Sequence, residues 1–225
     1  MNTFMVKRLI LKDWYLKRAL LVAAIITGLL TLAGVAAAKG TQIAMILGVV
    51  VLATILIGMG AVIMSSMVNE RKQQTLPFVM SLPVSYLEYT TSKLVGSLLI
   101  FSVLWLVLLL GMIATILITP SFSPGLIPFI VIMSVEVLMS TCLIAAVSVT
   151  TESQGWTIGV AQIGGLALNA VGFSIVRLPG IGHTMRGPTI RWSTTSILLL
   201  LIEFGAIALM IGIAFFIQSR KRDFI

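Results

Sequence analysis

Residues 94–118 read LVGSLLIFSVLWLVLLLGMIATILI, a stretch without a charged side chain. A helix needs about 20 apolar residues to cross a hydrocarbon core roughly 30 Å thick, and this stretch is long enough. Lipid offers no hydrogen-bond partners to an exposed backbone, so a crossing segment must be a helix that satisfies its own N–H and C=O groups. The stretch therefore predicts a transmembrane helix and indicates the structural class of the chain.

Further apolar runs lie on both sides of this stretch and define a transmembrane domain over residues 19–217. Soluble proteins use roughly 25% charged residues, whereas this 225-residue chain has 10% charged and 59% hydrophobic residues. A transmembrane β-barrel would alternate apolar and polar residues in segments of about ten, which is not the pattern here. We expect an all-α membrane protein without a soluble ATPase, kinase or receptor domain. Its six transmembrane helices are predicted near 19–38, 42–67, 94–118, 125–149, 156–176 and 195–217.

Residues 1–18, ahead of the first span, combine basic, aromatic and aliphatic side chains. This composition is typical of an amphipathic helix that lies in the membrane interface with its apolar side in lipid. Asp13 and Lys17 have the i,i+4 spacing that supports such a helix. A cleaved signal peptide is the competing interpretation, since residues 36–38 are three alanines. The long basic segment and the apolar run of about twenty residues favour a retained span.

The basic residues indicate the orientation of the chain. If the N-terminus is cytoplasmic, eleven lysines and arginines fall in inner segments and four in outer segments, namely Lys39, Arg177, Arg186 and Arg191. Cytoplasmic segments carry the excess of such residues, so we expect both termini, including a basic tail at 218–225, in the cytoplasm. Because the basic residues flank apolar runs, the formal net charge of +8 does not indicate a nucleic-acid partner.

The segment between spans two and three, residues 68–93, has the pattern of a short cytoplasmic helix. A charged exit from the membrane leads into an apolar run over 76–82, which Pro83 ends. Ser85 is placed to cap a second short helix, with Glu88 at the N3 position of a capping box. The first helix either docks its apolar face into a partner or lies on lipid, and periodicity alone does not separate the two interpretations. The side chains of that face are Phe78, Val79 and Met80.

The residues of this segment resemble the membrane subunits of ABC-2 type exporters. The matching order is Glu70-Arg71, Thr75-Leu76, Leu82-Pro83-Val84-Ser85, Glu88 and Lys93. The resemblance implies six spans, both termini inside, and a cytoplasmic coupling helix that fits a cleft in a separate ATPase. The sequence departs from the family pattern at Gln74, where glycine is common, and at Pro77, where an acidic residue is common.

The same resemblance implies a permease that is not itself an enzyme. Two permease chains, identical or paralogous, would form the path, and two ATP-binding cassette subunits would hydrolyse ATP with Mg²⁺, so this chain would hold no cofactor or metal. It would reside in a bacterial or archaeal inner or plasma membrane, in contact with lipid. The residues that would couple it to the ATPase are Glu70, Arg71, Thr75, Leu76, Phe78, Val79, Met80, Leu82 and Pro83. A membrane scaffold without transport activity is the alternative function.

Polar side chains inside the predicted spans are further candidates. Glu136 and Glu203 line a path for a cationic or amphipathic substrate, relay protons, or are satisfied within the bundle, where Ser140 is one turn from Glu136. Gln162 and Asn169 share a face of span five and suit hydrogen bonds between helices or a substrate path. The small residues Gly155, Gly159, Ala161 and Gly165 suggest a helix-contact face on span five, within or between subunits. An apolar path of this kind suits amphipathic peptides, drugs or lipid-like substrates.

Overall fold

The computed structural model describes residues 3–38, 51–60, 62, 86–151 and 153–220, which are helical except for short turns. In chain order the helices are α1 (Thr3–Ala37), α2 (Val51–Gly60), α3 (Tyr86–Ile118), α4 (Ile127–Thr151), α5 (Gln154–Arg177), α6 (Pro179–Gly182) and α7 (Thr194–Arg220). Two 3-10 turns, η1 (Pro124–Leu126) and η2 (Thr184–Arg186), precede α4 and follow α6. Five helices, α1, α3, α4, α5 and α7, are long and apolar enough to cross a membrane. The prediction of an all-α, multi-pass membrane protein is confirmed in this respect.

Two of the predicted element boundaries do not appear as breaks in the described chain. The expected interfacial helix at 1–18 and the first span form one helix from Thr3 to Ala37. Likewise, the short helix expected after Ser85 and the third span form one helix from Tyr86 to Ile118. No proline lies within either helix, so nothing in the covalent chain forces a break. The charged residues Asp13 and Lys93, which lie in these two segments, are buried.

Helices α1 and α3 pack side by side and run in the same direction. A Cβ atom added at Gly28 of α1 would overlap Leu108 of α3, and one added at Gly111 of α3 would lie 2.8 Å from Leu32 of α1. The missing side chain at each glycine leaves room for a leucine of the partner helix to pack against the helix backbone. Their parallel direction follows from the near-constant separation of the contacting residues along the sequence.

Helix α4 is the centre of the bundle and packs against α3, α5 and α7. In its most apolar stretch, half of the residues are buried. The corresponding share for α7 is 11%, so α7 faces outward along most of its length. The indole Nε1 of Trp105 on α3 donates a hydrogen bond of 2.7 Å to the carbonyl oxygen of Ser134 on α4. The main hydrophobic core lies between α1, α2, α3, α4 and α5, and its least exposed members include Ile100, Phe101, Leu104, Leu108 and Ala145.

The segment that connects α5 to α7 folds back onto the start of α4. The amide N–H of Gly125 donates to the carbonyl oxygen of Gly187 at 3.1 Å, and the Ser123 hydroxyl donates to the same oxygen. A Cβ atom at position 125 would collide with the carbonyl oxygen of Thr184, so only glycine permits this close approach of two backbones. We call this side of the bundle the Gly125 end.

Candidate functional site

The predicted coupling residues lie in the part of the segment 68–93 that precedes position 86, and the structure does not describe this part. They are Glu70, Arg71, Thr75, Leu76, Phe78, Val79, Met80, Leu82 and Pro83. Of the residues that carry the resemblance, the structure describes the side chain of Lys93, eight positions into α3. Its surroundings therefore show what the coupling segment leads into.

Lys93 forms a buried ion pair with Asp13 of α1. The Nζ atom of Lys93 donates to both carboxylate oxygens of Asp13, at 2.9 Å to Oδ1 and 2.7 Å to Oδ2, and the two side chains are 7% and 5% exposed. Burying either charge without the other would cost several kcal/mol, so the pair stabilises the contact between the helices only while both partners are present. It joins α1 directly to the helix that follows the predicted coupling segment.

Helical spacing relates Asp13 to Lys17 on the same helix, and the structure places Lys93 of α3 against Asp13. These two positions are 80 residues apart, and helical spacing gives no information about a contact of this kind. The available signal was the presence of one acidic residue inside a predominantly basic, apolar segment. Such a residue needs a basic partner once it is buried.

Glu136 and Glu203 come to comparable depths on neighbouring helices. Each lies nine residues after the first residue of its helix, Ile127 for α4 and Thr194 for α7. Both side chains are buried, and the two helices that carry them pack against each other. Within the described part of the chain, Oε2 of Glu203 is buried without a hydrogen-bond partner. The two carboxyl groups therefore form a polar site inside an apolar bundle, which is costly unless a ligand or a proton compensates.

The other polar candidates lie on α5 and face away from the bundle. Gln162 and Asn169 are both exposed, and the Asn169 side-chain amide donates to the carbonyl oxygen of Gly165 at 2.9 Å. Leu166 and Phe173 on the same helix are 73% and 71% exposed. The structure thus does not bring Gln162 or Asn169 to the two glutamates.

The four residues of the predicted small-residue face of α5 do not share one contact surface. Ala161 is buried in the main core, whereas a Cβ atom added at Gly159 would meet no atom within 4 Å. Gly155 is exposed, and a Cβ atom added at Gly165 would lie 4.0 Å from Ile57. A closer approach occurs at Gly164, which the sequence analysis did not select, where an added Cβ would overlap the hydroxyl of Ser140 on α4. Ser140, considered above as a partner for Glu136, therefore lies against α5.

Among the residues that the structure describes, no group of three or more His, Cys, Asp or Glu side chains could hold a metal ion. Cys142, the single cysteine of the chain, is buried in α4. The chemistry available in the described bundle is that of buried carboxyl groups, one buried ion pair and apolar surface.

A protein-family model matches this chain over residues 8–222. The matching family is described as "ABC-2 family transporter protein". Neither the curated proteins nor the solved structures gave a match.

Proposed function

Because this chain belongs to the ABC-2 family of transporter proteins, we propose that it is the permease subunit of an exporter whose ATP is hydrolysed by a separate subunit. The observation that carries the proposal is the family match over nearly the whole chain, together with five apolar helices that can cross a membrane. A permease of this family is not an enzyme in itself. Two copies of an ATP-binding cassette subunit would supply the energy from the cytoplasmic side of a bacterial or archaeal cell membrane.

The contact with the ATPase is assigned to the segment before α3, with Phe78, Val79 and Met80 forming its apolar face. The ion pair between Asp13 and Lys93 supports this assignment. A movement of the coupling segment would reach α3 at its first turns. The buried pair would transmit this movement to α1 through a direct contact between the two helices. The rigid unit that responds to ATP would therefore be α1 together with α3.

The export path is assigned to the side of the bundle where α4 and α7, the helices that carry Glu136 and Glu203, pack together. Two buried carboxyl groups with an unpartnered oxygen at Glu203 favour a substrate that carries a donor or a positive charge. The surrounding walls are apolar, so the substrate class that fits is an amphipathic peptide, drug or lipid-like molecule.

The second permease chain is assigned to the exposed face of α5. Amides that face hydrocarbon are unfavourable, and an equivalent face of another chain would offer partners to Gln162 and Asn169, in addition to the Gly165 carbonyl oxygen that Asn169 already bonds. Gly159, which meets no neighbouring atom in this chain, would allow the second helix to come close. Leu166 and Phe173 would be buried at the same contact.

The decisive experiment is to purify the chain with its ATP-binding cassette subunit and measure ATP hydrolysis in liposomes. An exporter permease should raise the hydrolysis rate of the ATPase, whereas a scaffold should bind it without changing the rate. Charging the docking face, as in Val79→Glu, should abolish co-purification. Complete burial of such a side chain contributes about 1.5–3 kcal/mol, and an unpaired buried charge costs more than the lost contact.

Phe78→Glu and Met80→Glu extend the scan to the neighbouring positions, and Ser121→Glu at the exposed Gly125 end is the control. All four variants should reach the membrane at near-normal levels. If every variant of the face still binds the ATPase and stimulates it, the segment does not dock and the assignment is wrong.

A further inference from the structure

A cavity of about 840 Å³ opens at the Gly125 end of the bundle. Its walls come from the turn before α4 and from the segment between α5 and α7. Three basic or titratable side chains line it, Arg177, His183 and Arg186, together with apolar groups that include Phe122, Leu126 and Met185. A cavity with cationic and apolar walls is suited to a ligand that has both an anionic and an apolar part.

The walls of this cavity are held in place by contacts that need no ligand. The carbonyl oxygen of Gly187 accepts hydrogen bonds from Gly125 and Ser123, which joins the two segments. Ile181 of α6 is 1% exposed and packs with Ile132 of α4 and Ile175 of α5. The arginines therefore project from a preformed frame, which lowers the entropic cost of binding.

The positive charge of the cavity has no acidic counterpart in the segments that form it. The sequence has no aspartate or glutamate between Glu88 and Glu136, nor between Glu152 and Glu203. Arg177 and Arg186 both lie in the second of these stretches, where no carboxylate is available from the local chain. Arginine binds phosphate and carboxylate groups through paired N–H donors, so an anion is the complementary ligand.

A second, apolar cavity of about 170 Å³ adjoins the first, and Phe122 and Leu126 line both. Its other walls belong to α1, α2, α3 and α4 and include Leu32, Leu52 and Met112. The basic cavity and the apolar cavity therefore lie next to each other and share these two side chains as walls. This arrangement matches a molecule with a charged head at one end and hydrocarbon at the other.

We propose that the two cavities together bind an anionic amphiphile at the Gly125 end of the protein. Its phosphate or carboxylate head lies between Arg177 and Arg186, and its hydrocarbon end passes Phe122 and Leu126 into the apolar cavity. The ligand is either a membrane phospholipid or a freely diffusing amphiphile of the same chemistry. The site requires neither ATP nor a partner subunit, so it can be tested apart from the proposed export function.

Binding can be measured on the purified full-length chain in dodecyl maltoside with two probes that share one hydrocarbon chain. Dodecyl phosphate should raise the melting temperature or displace a bound reporter at lower concentration than dodecylphosphocholine, whose head has no net charge. Inorganic phosphate, which lacks the chain, should have no effect in the same range. Equal effects of the two dodecyl probes would overturn the proposal.

The source of the ligand is decided in nanodiscs. Native mass spectrometry should show dioleoyl phosphatidylglycerol retained in preference to dioleoyl phosphatidylcholine if the ligand is a membrane lipid. Dodecyl phosphate added to phosphatidylcholine nanodiscs should bind if a free amphiphile enters from water. Either result supports the site, and the absence of both contradicts it.

The residues are tested with Arg177→Gln and Arg186→Gln, alone and together. Each basic residue near a membrane surface contributes about fivefold to the binding of an anionic head, and this is the expected loss for each substitution. Arg191→Gln is the matched control, because Arg191 is exposed in the same connecting segment and does not line the cavity. An equal loss for Arg191→Gln would show a general effect of surface charge and would overturn the assignment. If the double variant fails to fold, the single variants and the comparison of probes on the unmodified chain decide the question.

Discussion

At the scale of single residues, Asp13 and Lys93 show how a charge becomes compatible with an apolar bundle. Both carboxylate oxygens of Asp13 accept from the Lys93 ammonium within 2.9 Å, and neither side chain is more than 7% exposed. The Lys93 ammonium also lies 5.9 Å from the centre of the Tyr89 ring, which adds a weak cation–π attraction. The pair therefore fixes the relative position of α1 and α3 near the start of α3.

Replacing one partner of this pair should destabilise the protein strongly. We expect Asp13→Leu or Lys93→Met to lower the free energy of unfolding by about 3–5 kcal/mol, because each leaves an unpaired buried charge. The double variant should recover most of the loss, since an apolar pair of similar volume leaves no charge behind. The measurement is thermal unfolding in detergent, with Lys12→Met on the exposed side of α1 as the control.

The ATPase assay separates stability from transmission of movement. The double variant should bind the ATP-binding cassette subunit but stimulate its ATP hydrolysis less. An apolar contact would no longer fix the relative position of α1 and α3 as the ion pair does. Full stimulation by a stable double variant would show that the pair has only a structural role. An unchanged melting temperature in either single variant would show that the pair contributes nothing to stability.

At the scale of elements, the contact between α1 and α3 depends on glycines that face the partner helix. Gly28 lies against Leu108, and Gly111 lies against Leu32, whereas a Cβ atom added at Gly34 of α1 would meet nothing within 4 Å. Glycine weakens a helix by roughly 0.5–1 kcal/mol relative to alanine, so it persists at a contact where close approach compensates. Gly28 and Gly111, which contact the partner helix, can therefore be compared with Gly34, which does not.

We expect Gly28→Val to destabilise the protein by about 1–3 kcal/mol, since the added methyl groups overlap Leu108 and push α1 away from α3. Gly34→Val, two turns later on the same helix, should leave stability unchanged or slightly higher. Thermal unfolding of the two variants in detergent makes the comparison. Equal destabilisation by both would mean that the substitution acts through the helix backbone and not through the contact.

At the scale of the whole molecule, the direction of the helices bears on the number of spans. Because α1 and α3 run parallel, the chain between them must return across the bundle an odd number of times. The described part of that return is α2, whose residues Leu52, Leu56 and Met59 belong to the main core. The described residues contain five helices long enough to cross a membrane, and the six spans with both termini on one side stay predictions from the sequence.

This topology predicts the labelling of single cysteines in intact cells. In a Cys142→Ala background, Ser121→Cys at the exposed Gly125 end should react with a membrane-impermeant thiol reagent, and Gln74→Cys should not. The expected difference follows from the excess of basic residues on the segments assigned to the cytoplasm. Labelling at position 74 from outside would reverse the orientation and remove the basis for ATPase docking.

The sequence by itself determined the class of the protein, because the free energy of placing a side chain in lipid depends mainly on the type of that side chain. Runs such as 94–118 therefore predicted helices that cross a membrane, and the order of residues from Glu70 to Lys93 carried the resemblance to the exporter permeases. It also identified Glu136 and Glu203 as unusual, since a carboxyl group inside a span is costly wherever it lies.

Only the tertiary structure decided which side chains meet. It placed Lys93 on Asp13, packed the helices of Glu136 and Glu203 together, left Gln162 and Asn169 on an outer face, and set Gly125 against Thr184. Helical periodicity relates residues within about one turn of each other, but it contains no information about how one apolar helix is rotated against another. That rotation follows from the packing of many similar side chains at once. The contacts with the greatest consequence for function therefore depend on the assembled bundle.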